Sequence, residues 1–223
     1  MKTSRYFFVA ALLAATVSPA AHAAVVYDNM FQANTPILAG DPLSDDQPLG
    51  ASFTTGSSGV LGAIHLALEL NAAADDGAFL VSVVPDAGNT PDLTPGNALW
   101  TSSSILDSSF TANTPGGYWD PALDPTAAGV GLAAGTRYWV VLNGDPDSVV
   151  SWDYVTTPDT SGIGVAGELW YSAGATGPNE TGPYVMSVDV TAAPEPVSLA
   201  IFGLGLVGLG AARFGARSRS KQG

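Results

Sequence analysis

The stretch Leu61-Gly62-Ala63-Ile64-His65-Leu66-Ala67-Leu68-Glu69-Leu70 decides the fold. Side chains alternate across a strand, so Ile64, Leu66, Leu68 and Leu70 share one face while Ala63, His65, Ala67 and Glu69 share the other. The same period returns later, where Tyr184, Met186, Val188 and Val190 oppose Val185, Ser187 and Asp189. Half-buried antiparallel sheets produce this alternation. Between the two stretches, Gly, Pro, Asn and Asp recur between short apolar runs, and no segment sustains a helical period over three turns. Strands are predicted at Val25–Met30, Ala51–Thr55, Leu61–Leu70, Phe79–Val84, Ala98–Ile105, Arg137–Leu142, Val149–Tyr154, Glu168–Tyr171 and Tyr184–Val190. The expected class is all-β, a two-sheet antiparallel sandwich of jelly-roll type. Long loops are expected at Gly40–Pro48, Pro85–Asn97 and Thr111–Ala128.

The two ends of the chain carry different signals. Lys2 and Arg5 precede an apolar stretch, Tyr6 to Val17, and then Ala21-His22-Ala23, a small-x-small pattern. This is the layout of a secretory signal peptide over residues 1–23, with signal peptidase cutting between Ala23 and Ala24. At the other end Pro194-Glu195-Pro196 leads into an apolar, glycine-rich run from Val197 to Ala212, followed by Arg213, Arg217, Arg219 and Lys221. The run is slightly shorter than the roughly 20 residues that span a bilayer, but Arg213 can snorkel and let a transmembrane helix extend over about 197–216. The basic cluster would hold the C-terminus in the cytoplasm and leave the body, 24–193, outside. Gly203, Gly205 and Gly208 spell a dinucleotide fingerprint, but no strand or ribose-binding acid follows within the fifteen residues that remain.

The ordered tail of tripeptide, apolar helix and basic cluster over 194–221 resembles the PEP-CTERM sorting signal of Gram-negative bacteria with exopolysaccharide-rich surfaces. That resemblance implies processing near Pro194-Glu195-Pro196 by an exosortase, passage through the inner membrane, and delivery to the cell surface or matrix. In the body, Phe53-Thr54-Thr55-Gly56, Thr136-Arg137-Tyr138-Trp139, Gly164-Val165-Ala166-Gly167-Glu168 and Gly182-Pro183-Tyr184-Val185-Met186 are similar to the choice-of-anchor R type of bacterial surface domain. Members of that group carry one of several alternative C-terminal anchors, and the resemblance brings no biochemical activity with it.

Charge narrows the partners. Of seven basic residues only Arg137 lies between Ala24 and Ala193, whereas every acidic residue except Glu195 lies there. Such a surface repels nucleic acid and anionic lipid headgroups. The chain has no cysteine, which excludes thiol catalysis, thiolate metal sites and disulfides; the body must be held by its core. Arg137, alone among acids, is expected to pair with a carboxylate near the start of its strand.

Candidate chemistry is sparse. His65 is the only histidine left once the signal peptide is removed, and Glu69, four residues along the same strand, lies roughly 13 Å away, too far for a dyad. Glu69, Glu168 and Glu180 could supply the paired carboxylates of a glycoside hydrolase, which is the alternative reading. Calcium is the candidate cofactor, with Asp41, Asp45 and Asp46 in one loop as the first ligand set, although no D-x-[DN]-x-[DN]-G loop is complete and ordinary acidic turns have the same composition. Asp75 with Asp76, and Asp145 with Asp147, are similar acidic turns. Tyr118 and Trp119, with Asp120 beside them, are either a platform for stacking a sugar ring or aromatics that plug the end of the sandwich. The function expected on these grounds is that of a non-catalytic exported surface or matrix protein, with polysaccharide as its candidate partner.

Overall fold

The computed structural model describes residues 23–30, 38–44, 47–71, 77–110, 118–121, 123–156 and 162–192. The signal-peptide segment, the Pro194-Glu195-Pro196 motif, the apolar run and the basic cluster therefore lie outside the described residues, apart from Ala23 and Ala24. Those that are described are all-β, in the order β1 (Ala23–Asp28), β2 (Leu38–Pro42), β3 (Leu49–Thr54), β4 (Gly59–Leu66), β5 (Leu68–Leu70), β6 (Ala78–Pro85), β7 (Trp100–Thr101), β8 (Ile105–Leu106), β9 (Gly131–Leu132), β10 (Arg137–Gly144), β11 (Val150–Val155), β12 (Leu169–Ser172), β13 (Ala175–Pro178) and β14 (Met186–Ala192). No described helix is long and apolar enough to cross a membrane.

Every strand pairing is antiparallel. A four-stranded sheet runs β1-β14-β4-β9, a seven-stranded sheet runs β13-β12-β3-β10-β6-β7 with β8 also on β6, and a three-stranded sheet runs β2-β11-β5. The four- and three-stranded sheets meet at Ala67, the single residue between β4 and β5. Its N–H donates to Val185 C=O, its C=O accepts from Asp153 N–H, and Val185 N–H donates to Asp153 C=O, at 2.9–3.0 Å. β14 and β11 thus occupy one edge of the same bent strand in succession.

The alternation in the deciding stretch holds. Ile64, Leu66 and Leu68 are fully buried and Glu69 is exposed, as the period requires. Ala67 departs from it: it belongs to the outward set, yet is buried against Val155 and Val185, with Met30 and Tyr118 packed around them. The three-strand junction covers it. Tyr184, Met186, Val188 and Val190 are buried as expected, and the main core gathers them with Tyr27, Phe53, Phe79, Val140 and Trp152 from all three sheets. Trp152 stacks on Tyr184, centroids 4.7 Å apart, and its indole N–H donates to Val185 C=O.

Three strands were not predicted, and all three are edges: β2, β9 and β13. Each contains glycine or proline, at Gly40 and Pro42, Gly131, and Gly177 and Pro178. These residues read as turns in sequence but are tolerated where one side of the strand needs no partner. The expected loop over Gly40–Pro48 consequently begins with the end of β2. The expected strand Ala98–Ile105 is split into β7 and β8, because Ser102 enters the ladder with its side chain: Val81 N–H donates to its hydroxyl at 3.0 Å. Ser172-Ala173-Gly174-Ala175 closes the β12–β13 hairpin, with φ of 50° at Ala173 and 81° at Gly174. Two successive positive values make the tight primed turn that suits strand twist.

Candidate functional site

Arg137 finds the carboxylate expected of it. Its Nε lies 3.3 Å from Glu168 Oε2, and Glu168 is only 4% exposed. The Ser52 hydroxyl donates to the same Oε2 at 2.5 Å and accepts from Leu169 N–H at 2.8 Å. The guanidinium also donates to Asn89 Oδ1 at 2.7 Å and Gly167 C=O at 3.0 Å. β3, β10 and the approach to β12 are tied together here. Nearby, the Trp139 indole donates to Asp86 at 2.8 Å and Thr55 Oγ1 bonds Ala133 C=O. Glu168 is thus engaged by two side chains of the sheet it belongs to.

His65 has a partner that local spacing does not reveal. Its Nδ1 lies 2.7 Å from Asp120 Oδ2, and the other oxygen of Asp120 accepts from Leu66 N–H at 3.2 Å. Antiparallel bridges join Leu68 to Trp119 and Ile64 to Leu123, and this brings Asp120 beside His65. The two side chains are 37% and 27% exposed. Trp119 stacks on Phe110 with centroids 3.9 Å apart and packs on the main core. Tyr118 packs on the Ala67 cluster. Both aromatics are half-buried, each with one side against the body of the protein.

The acidic residues divide into several environments. Asp41, from the expected calcium loop, accepts the Tyr184 hydroxyl at 2.5 Å, while Asp45 and Asp46 lie outside the described residues, as do Asp75 and Asp76. Asp145 accepts from Ala78 N–H and Asp147 N–H, the pattern of a turn-capping carboxylate. Glu180 sits in the 3-10 turn Asn179–Thr181. Burial pushes the Tyr27 and Tyr184 phenols well above their ordinary range.

A different pair of carboxylates converges on the outer face of the three-stranded sheet. Asp153 on β11 is 3% exposed, and Glu69 on β5 reaches across Ser151 towards it. Burial first, and then the charge of Glu69, push the Asp153 carboxyl up to about 7. Sequence alternation places Ser151 and Asp153 opposite Trp152, and Glu69 opposite Leu68; the pairing of β5 with β11 that unites them is a tertiary fact with no local signature.

An open groove of about 310 Å³ is lined by Ala78, Phe79, Leu80, Ser104, Asn143, Gly144, Asp145 and Pro146. Its one carboxylate is the turn-capping Asp145. No protein-family model matches the chain, and no curated protein matches it.

Proposed function

We propose that the chain is an exported, non-catalytic protein of the bacterial surface or extracellular matrix, sorted by an exosortase-type system and associated with exopolysaccharide. One observation carries most weight beside the tail pattern. The described strands run from Ala23 in β1 to Ala192 in β14, so the body's two ends lie within two residues of the expected processing points, after Ala23 and before Pro194. Ala24 pairs with Val190 across β1 and β14, so a cut after Ala23 removes only the first residue of β1, and both removable segments would leave from one place. In finer architecture we propose a two-layer, jelly-roll-like sandwich, the seven-stranded sheet facing a layer made by the four- and three-stranded sheets. A core drawn from all three supports it.

The carbohydrate-active alternative has one observation in its favour, the close carboxylates of Glu69 and Asp153. Asp153 is too buried to reach a glycosidic oxygen, and the groove holds no carboxylate pair, so the non-catalytic reading is preferred. The exposed edges of Tyr118 and Trp119 are the proposed meeting point for a saccharide ring. Mass spectrometry of the exported protein tests the proposal: a mature N-terminus at Ala24 and loss of the segment after the Pro194-Glu195-Pro196 motif are expected. Surface material that retains Met1, or release that is indifferent to Glu195→Ala, would refute it. A glycan-binding screen on the same protein tests the partner.

A further inference from the structure

We propose a weak divalent-cation site, suited to calcium, between the carboxylates of Glu69 and Asp153 where they lie over Gly40. The middle strand β11 carries Ser151 and Asp153 on its outer face, with Glu69 of β5 opposite Ser151 and Gly40 of β2 opposite Asp153. A Cβ at Gly40 would lie 2.7 Å from Ser151 Cβ, 3.1 Å from Glu69 Oε1 and 3.3 Å from Asp153 Oδ1. No side chain fits at this position, and glycine lets the Glu69 and Asp153 oxygens lie close to one another over the strand.

Asp153 Oδ1 is buried and has no hydrogen-bond partner among the described residues. A buried, unpartnered carboxylate oxygen is costly, and a second carboxylate beside it adds repulsion. The protein has no cation to spare for the pair: Arg137 is the only lysine or arginine among the described residues, and it is committed to Glu168. Neutralisation must come from a proton or from an ion supplied by solvent. Oxygen donors select a hard cation, and the exposed Glu69 side chain can rotate to bring its carboxylate, with that of Asp153, to the 2.3–2.6 Å of calcium coordination. The exposed side of Glu69 leaves room for waters to complete the shell. No third His, Asp or Glu joins the pair among the described residues, which sets the affinity in the range of about 10⁻⁴–10⁻³ M found for low-charge sites. Because Asp153 is also one corner of the junction at Ala67, an ion here would fasten the four- and three-stranded sheets where they meet.

The test is a thermal melt of the full-length protein, stripped with EDTA, against CaCl₂ and against NaCl of matched ionic strength. Wild type should gain about 3–6 °C when calcium is tenfold above half-saturation, and NaCl should not reproduce the gain. Glu69→Gln and Asp153→Asn should each fold, with circular dichroism unchanged and a melting temperature in EDTA no lower than wild type, and each should lose the calcium-dependent gain. Gly40→Ala, whose methyl would crowd Ser151 and push the two carboxylates apart, should lose it as well where that variant folds. A gain no larger than that given by NaCl overturns the proposal. So does a calcium response retained in either carboxylate variant, which would transfer the effect to other acidic loops such as the one holding Asp45 and Asp46.

Discussion

Replacing Arg137 by methionine keeps most of the aliphatic length of the side chain and removes the guanidinium. Glu168, 4% exposed, would then keep only the Ser52 hydroxyl among the contacts seen here, while Asn89 and Gly167 C=O would lose their donors. Breaking a buried ion pair from one side costs about 3–5 kcal/mol because the remaining charge is stranded. Arg137 itself is 26% exposed, so solvent screens part of its share and the lower end, about 3 kcal/mol, is expected. For a domain of this size that is a fall of about 6–12 °C in Tm. The companion variant Glu168→Gln removes the charge but keeps a group that can accept from Ser52. The double variant Arg137→Met/Glu168→Gln should therefore be more stable than the sum of the two single losses predicts, by about 1–3 kcal/mol. Urea and thermal denaturation of the four proteins complete the cycle. An Arg137→Met loss below about 1 kcal/mol, or strict additivity, would show that the pair behaves like a surface contact and would refute the reasoning.

The phenols of Tyr27 and Tyr184 are raised by burial, so their protonated forms support the fold below the unfolded value near 10, and that support is lost as pH rises beyond it. A spectrophotometric titration should show these two ionising only with unfolding; reversible ionisation of every tyrosine by about pH 11, with circular dichroism intact, would contradict their burial. Ala173 holds φ of 50° in the β12–β13 turn, a conformation that asparagine tolerates better, so Ala173→Asn should add about 0.5–1 kcal/mol in chemical denaturation. A loss of stability there would sink the turn assignment. Ending the chain after Ala193 leaves β14 whole and should give a freely secreted protein with an unchanged melt, checked by fractionation and calorimetry. A truncated chain that aggregates would mean that the removed segment belongs to the core.

The parts of the fold that were legible are chiefly those in which burial follows a two-residue period. β4, β6, β11 and β14 have apolar residues that repeat accordingly, whereas β10 is legible as an unbroken apolar run, Tyr138 to Leu142, buried on both faces. The edge strands β2, β9 and β13 were not legible, since half of their backbone needs no partner and glycine or proline is allowed. For the candidate sites the limit was sequence distance. A carboxylate partner for Arg137 followed from charge alone, but its identity as Glu168 depends on β12 lying beside β3. His65 and Asp120 are 55 residues apart, and only the edge pairing of Trp119 with Leu68 brings them into contact. The approach of Glu69 to Asp153 depends likewise on β5 joining β11.

The pairing of β1 with β14 has a mechanical consequence. A load applied through a C-terminal tether enters the body at Ala192, the end of a strand held on one side by β1 and on the other by β4. Ladder hydrogen bonds in antiparallel sheets stand across the strand direction, so tension along β14 shears both ladders at once rather than opening them one rung at a time. With no load at its own end, β1 carries no tension and acts as a passive clamp on the strand that does. Pulled from the C-terminus, such a body yields at a higher force than the same body pulled from Ala24, where the edge strand β1 has a ladder on only one side.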